Sequence, residues 1–219
     1  MRKITKKIEF IDYYISVCKI LLLSFLIVII SCATNSSPGE SVEVDICENY
    51  SDWQESEYIL PYEPGSAYAV IQGNCAPKSI TWAHYDNNRY AYDFGMPIGT
   101  PILAVRAGRV IFVRENFTDD QHEQEQGNAL VVQHEDNTIA LYGHMTQNGV
   151  LVGLGDHVEQ GDVIALSGNS GMSPVPHLHL QVNDCADFNV CESVPVTFRN
   201  ARPNNGRLLK DETYEAVAE

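Results

Sequence analysis

The chain is poor in positive charge. It carries 14 Lys and Arg against 29 Asp and Glu, a formal net charge of −15 over 219 residues. So acidic a surface lacks the basic patch that a nucleic-acid backbone requires, which argues against nucleic acid as a partner. It also repels bulk anionic polymers and anionic lipid headgroups. Long apolar runs are missing too. The run from Ile20 to Ile30, broken only by Ser24, falls well short of the ~20 residues that span a bilayer. No Cys-x-x-Cys pair occurs among the six cysteines, so the usual thiolate zinc motif is absent. Between Ser79 and Val182 no long helical period appears, which removes a helical bundle from consideration.

The N-terminus does carry a pattern. A basic start, the apolar run and a small-residue exit read as an export signal over residues 1–31. An uncleaved membrane anchor is the competing reading. Ile29-Ile-Ser-Cys32 resembles the bacterial lipobox, in which the cysteine is lipidated and becomes the new N-terminus. That resemblance implies a lipoprotein of the cell envelope held to a membrane through Cys32. Ala33 stands where enterobacterial lipoproteins retained at the inner membrane carry Asp, so the resemblance favours the outer membrane, facing the periplasm. Cleavage before Cys32 leaves 188 residues with nine basic and 27 acidic side chains, enough for one domain with a sizeable core. Residues 32–43, rich in Ser, Asn, Gly and Pro, read as a flexible tether, and residues 44–78 as an N-terminal extension. Beyond the signal and Cys32 remain Cys47, Cys75, Cys185 and Cys191. In an exported chain these suggest two disulfides, with Cys185–Cys191 and Cys47–Cys75 the expected pairs among three possible pairings.

From Ser79 short apolar or alternating segments are separated by Gly, Asn and Pro. Residues 101–105, 109–113, 129–133 and 138–142 are dominated by β-branched and aromatic side chains. They predict a compact all-β domain of antiparallel, barrel-like character over residues 79–207. Residues 117–127 read as a solvated acidic loop, with a groove wall as the sharper alternative, and residues 208–219 as a tail or short frayed helix.

The chemistry centres on histidines. In Pro176-His-Leu-His-Leu-Gln-Val182 a strand would point His177 and His179 to one face. Their Cα atoms would stand about 6.6 Å apart. Both could address one ion, or one could bind while the other faces substrate. A glycine-rich turn, Gly168-Asn-Ser-Gly171, precedes them, and Leu141-Tyr-Gly-His144 forms another β segment ending in a histidine. Upstream, Asp86-Asn-Asn88 has the composition of a turn, so a strand pair could bring His84 to Asp93. Asp93 would share a face with Ala91, leaving Tyr90, Tyr92 and Phe94 on the other. His134, after an apolar strand, reads as a strand residue or one that supports the site, and His122 and His157 lie in a loop and a tight turn; each reads as solvated sooner than as a ligand.

In order and spacing these stretches, with Gly99 to Val110, Gly127-Asn128 and Gly155 to Ile164, resemble peptidase family M23, the lysostaphin-like metallopeptidases. The resemblance runs from about Ser79 to Val182. It implies that His84, Asp93 and His179 bind Zn2+ and that His144 and His177 are catalytic. It implies a zinc endopeptidase cutting peptide bonds of peptidoglycan stem peptides or cross-links by attack of a metal-activated water. Three protein ligands leave the open position that a catalytic zinc needs. Tyr142, placed with His144 on one strand face, is a candidate transition-state donor or a packed aromatic. Many family members carry a short His-x-x-x-Asp spacing, whereas nine positions separate His84 from Asp93; Asp86 is the rival. The alternative function is a non-catalytic envelope binding or activator protein on the same fold. The Gly155–Ile164 turn also resembles that of lipoyl-type carriers, but it holds no lysine to modify.

Overall fold

Alternation of side chains along short β-branched segments builds two antiparallel sheets. The computed structural model describes residues 49–75, 84, 86–187 and 190–219, all within the unit Asp45–Glu219. The proposed signal, Cys32 and Cys47 lie outside the described residues. Among those described, no helix is long and apolar enough to cross a membrane.

The strands are β1 (Ala67–Gln72), β2 (Tyr92–Gly95), β3 (Pro101–Leu103), β4 (Gly108–Arg114), β5 (Ala129–Gln133) and β6 (Ile139–Gly143). They continue as β7 (Met145–Val150), β8 (His157–Val158), β9 (Val163–Ser167), β10 (His177–Asn183), β11 (Ala201–Arg202) and β12 (Thr213–Ala216). Nine form one sheet in the order β11-β12-β1-β2-β10-β6-β5-β4-β8, and β3, β9 and β7 form a second. The protein is therefore all-β and antiparallel, as expected.

β10 sits between β2 and β6. Its period of two sends Leu178, Leu180 and Val182 into the core, where each is buried. His177, His179, Gln181 and Asn183 take the other face. β2 repeats the division. Tyr92 and Phe94 are fully buried and pack edge-on against Phe198 with centroids 5.6 and 6.2 Å away, while Asp93 faces the side of His179. Cross-strand register then aligns Asp93, His179 and Gly143 in one row over three strands.

Two expected boundaries change. The second half of the N-terminal extension is part of the domain: Leu60, Tyr62 and Val70 are core residues, and β1 pairs with β2. The C-terminal tail is not free either. β12 pairs with β1, Leu208, Tyr214 and Ala216 are buried, and the Tyr62 hydroxyl donates to the Tyr214 carbonyl at 2.8 Å. β1 and β12 pair with each other, so each takes its place in the sheet through a segment remote in sequence. Of the expected disulfides, Cys185–Cys191 is present. Cys75 is also disulfide-bonded, with its partner outside the described residues.

His134 is buried, not solvated. Its Nδ1 lies 2.8 Å from the Thr138 hydroxyl, and its Nε2 has no hydrogen-bond partner. Burial, aided by the Arg106 charge, pushes its pKa down to about 4. The unfolded chain then binds a proton near pH 6.5 that the folded one refuses. Stability from this residue is full above pH ~6.5 and is lost as pH falls towards ~4. Replacing His134 with Phe should flatten the pH dependence of unfolding free energy in that window, measured by urea denaturation at several pH values. An equal slope in both proteins would refute the assignment.

Candidate metal centre

Asp93 is the hub of the polar face. It is 6% exposed, and three imidazoles converge on its carboxylate. His179 Nδ1 lies 2.9 Å and His84 Nε2 3.2 Å from Oδ1, while His177 Nε2 lies 3.6 Å from Oδ2. His179 is the direct cross-strand neighbour of Asp93, and such pairs place side chains within reach. His84 arrives from outside any strand; the turn between it and β2 includes a 3-10 segment over Asp86–Asn88. One donor atom each from His84, Asp93 and His179 lies within 4.8 Å of the others, a grouping able to hold a metal ion. Asp86, the rival ligand, is not in that group. A second grouping, Asp184 with Cys185 and Cys191, has its sulfurs tied up in the disulfide.

The remaining two histidines border this group. The His144 and His177 rings lie 4.5 Å apart between centroids, and His144 lies 6.0 Å from His179. His144 sits between β6 and β7 with φ +64°, a left-handed conformation that histidine adopts more readily than most residues. That residue breaks the alternation. His144 swings to the polar side, while Tyr142 stays on the core side, fully buried, its hydroxyl accepting the Val105 N–H at 2.9 Å. Tyr142 is therefore a packed core residue and cannot reach a reacting group. The expectation that it shares a face with His144 assumed an unbroken strand.

Each imidazole has its second nitrogen pinned. His84 Nδ1–H donates to Ala91 C=O at 3.0 Å, His144 Nδ1–H to Ser170 C=O at 2.7 Å, and His177 Nδ1–H to Val175 C=O at 2.8 Å. A carbonyl only accepts, so Nδ1 carries the hydrogen in each of these rings and Nε2 is the nitrogen turned towards the site. Burial, reinforced by the nearby His177 and His179, pushes the His144 pKa down to about 3. Burial also lowers that of His177. Both shifts favour the neutral ring at pH 7. Burial works to raise the Asp93 pKa, but hydrogen bonds from His179 and His84 outweigh it and hold the carboxyl well below the usual range.

The acidic loop at 117–127 does more than connect strands. Asp119 accepts from the Asn169 N–H at 2.7 Å and from the Thr146 hydroxyl at 2.6 Å, and the Gln121 carbonyl accepts the Gly171 N–H at 2.7 Å. The loop thereby buttresses the turn that carries Ser170, the partner of His144. Gly171, at φ +77°, lies so near Gly127 that a Cβ would fall 2.5 Å from the Gly127 Cα, which explains the glycines there. Asn128, Ser170 and Gln181 were missed as support residues. Only Gln181 had a readable signal, its shared strand parity with His177 and His179.

Residues 87–190 match the family model for peptidase family M23. The stretch that carries β2 through β10 is thus similar to peptidase family M23. A metalloprotease of uncharacterised activity from Buchnera aphidicola is 40% identical over 90 residues, 41% of this chain and 22% of that protein. The peptidoglycan DD-endopeptidase ShyA of Vibrio cholerae is 37% identical over 90 residues, 41% of this chain and 19% of that protein. The catalytic domain of the prophage-encoded M23 protein EnpA from Enterococcus faecalis superposes with a TM-score of 0.47 at 25% identity, covering 63% of this chain and 94% of that one. The chain spans about a fifth of the length of the curated relatives it matches. The M23 match begins after His84, so His84 enters the centre on its geometry.

Gly143 makes room for His179. A Cβ at 143 would stand 3.2 Å from the His179 Cβ. Gly143→Val should push the ring away from Asp93 and weaken divalent-metal binding more than about tenfold, the scale of other losses around metal ligands. Chelator competition measures this, with far-UV circular dichroism checking that the sheet survives. Unchanged affinity in a folded variant would show that the contact does not set the ring position.

Proposed function

We propose that the domain is a zinc-dependent endopeptidase acting on peptidoglycan peptides. The observation that carries the reading is the convergence of His84 Nε2, His179 Nδ1 and one Asp93 oxygen, with two neutral histidines beside them. Donors bound to a tetrahedral zinc at ~2.0–2.2 Å stand roughly 3.3 Å apart. The separations of 3.2 and 2.9 Å about Asp93 Oδ1 fit that geometry. Two imidazoles and one carboxylate are a borderline-soft donor set suited to zinc, and three protein ligands leave a coordination position free. When bound, zinc there would lower the pKa of a water and polarise a peptide carbonyl.

The chain's own residues do the rest. His144 and His177 each present an Nε2 lone pair, so either can accept a proton from water and return it to the leaving amine. Once protonated, either can donate to the carbonyl oxygen as it gains charge. Met172 and Val175, both exposed on the turn before β10, give the approach an apolar rim. The net acidic surface repels bulk wall polymer, so substrate must be held by contacts specific to the site. The peptidoglycan substrate class is supported by the relative from Vibrio cholerae.

His179→Ala and Asp93→Ala should each abolish stoichiometric zinc binding and the release of muropeptides from purified sacculi, followed by mass spectrometry. His144→Ala should keep zinc and lose at least about 100-fold in turnover, the usual contribution of a general acid or base. Muropeptide release by the zinc-free variants would overturn the reading. Sacculus binding by the zinc-loaded wild type without release would favour the binding or activator alternative.

The same reading places the protein in the cell envelope, anchored through a lipid on Cys32, with the export signal at 1–31 and the tether at 32–43. Cys32→Ala should move the protein from the membrane to the soluble fraction and abolish incorporation of labelled palmitate. Membrane retention of that variant would instead point to an uncleaved anchor.

A further inference from the structure

The parity that puts His177 and His179 on one face of β10 continues to Gln181 and Asn183. Both amides are buried, at 7% and 0% exposure, and they form a chain. The Gln181 side-chain oxygen lies 3.0 Å from His179 Nε2, the Gln181 amide nitrogen donates to Asn183 Oδ1 at 2.8 Å, and Asn183 Nδ2 donates to the Cys191 carbonyl at 3.1 Å.

This chain has a direction. The Cys191 carbonyl can only accept, so Asn183 must turn its NH2 towards it. Asn183 then offers its oxygen to Gln181, which must answer with its own NH2. That leaves the Gln181 oxygen facing His179, where only an N–H satisfies it. His179 Nε2 therefore carries the hydrogen, which leaves Nδ1, on the Asp93 side, as the nitrogen a metal can use. His84, His144 and His177 have the reverse arrangement, with Nδ1–H on a backbone carbonyl and Nε2 turned towards the site. His179 alone of the four needs an acceptor on its Nε2 side.

We infer that Gln181 and Asn183 are positioning residues that hold His179 in the tautomer presenting Nδ1 to the metal, with the Cys191 carbonyl as the fixed end of the relay. The inference rests on the reading of His179 as a ligand and names what selects its ligating nitrogen. The anchor is itself immobilised. The Cys185–Cys191 disulfide closes its loop, the Cys191 N–H donates to the Asp187 carbonyl at 2.9 Å, and an isolated bridge joins Asn183 to Ser193. Because the amides are shielded, no water competes to satisfy a flipped one, and a reversed relay would leave buried groups unpaired.

The test uses the zinc-loaded full chain. Gln181→Met keeps the volume and removes the acceptor. Its zinc Kd, by chelator competition, should rise about 10- to 100-fold, the range for partners behind metal ligands. Long-range proton–nitrogen NMR spectra should show His179 leaving the pattern of metal-bound Nδ1 and protonated Nε2 that the wild type displays. Gln181→Glu offers an oxygen whichever way it turns and should stay within about threefold of wild type. Asn183→Leu should weaken zinc in the wild-type background but not beside Gln181→Glu, a non-additivity that packing loss would not produce. Should Asn183→Leu fail to fold, the two Gln181 variants still decide. Wild-type affinity and an unchanged His179 pattern in Gln181→Met would overturn the relay while leaving the metal site intact. Failure of the wild type to bind zinc would instead sink the proposed function before any variant is read.

Discussion

A carboxylate removed from water dominates this molecule. Asp93 is almost wholly buried, and an isolated buried charge is costly enough that a protein either neutralises or surrounds it. Here it is surrounded. Three imidazoles face its two oxygens, and the position is rigid because Tyr92 and Phe94 lock the opposite face of the same strand into the core. The protein thus holds concentrated negative charge among three imidazole donors. A divalent cation relieves that situation better than any side chain could, since each imidazole supplies a lone pair only in its neutral form.

The layer behind these residues is as specified as the residues themselves. Four histidines meet in a small volume, and every one has its outward nitrogen assigned by an acceptor: three backbone carbonyls and one amide oxygen. The glycine-rich turn before β10 provides two of those carbonyls, and the acidic loop holds that turn in place through Asp119 and Gln121. Loop, turn and strand therefore form one support, and the chemistry depends on backbone as much as on side chains. The fold reaches the site through hydrogen bonds that carry direction, which is what selects one nitrogen of a symmetric-looking ring over the other.

Much of the candidate site was legible. The shared face of His177 and His179 follows from the period of a strand, and the aromatic neighbours of Asp93 marked which side of β2 is core. Where the reading went wrong, a local exception was responsible. Tyr142 was placed with His144 because alternation was carried through a residue that sits at positive φ, and nothing in the composition of Leu-Tyr-Gly-His-Met announces that break. His134 was taken as bland, whereas it is closed in beside Tyr58 and Arg106. Residues 208–219 lack a periodic signal because the four-residue strand β12 buries only two side chains.

By itself the amino-acid order determined the strand faces, the sheet-forming character and the identity of the side chains able to bind a metal, because each follows from neighbours two to four positions apart. The tertiary structure decided which distant segments touch. It brought His84 to Asp93 across the turn, set the cross-strand row through Asp93, His179 and Gly143, and paired β1 with β12 in the sheet. It also fixed which nitrogen of each imidazole is free, since that depends on acceptors as remote as the Cys191 carbonyl. Pairing register and hydrogen-bond direction are properties of segments in contact, and no stretch of sequence contains them alone.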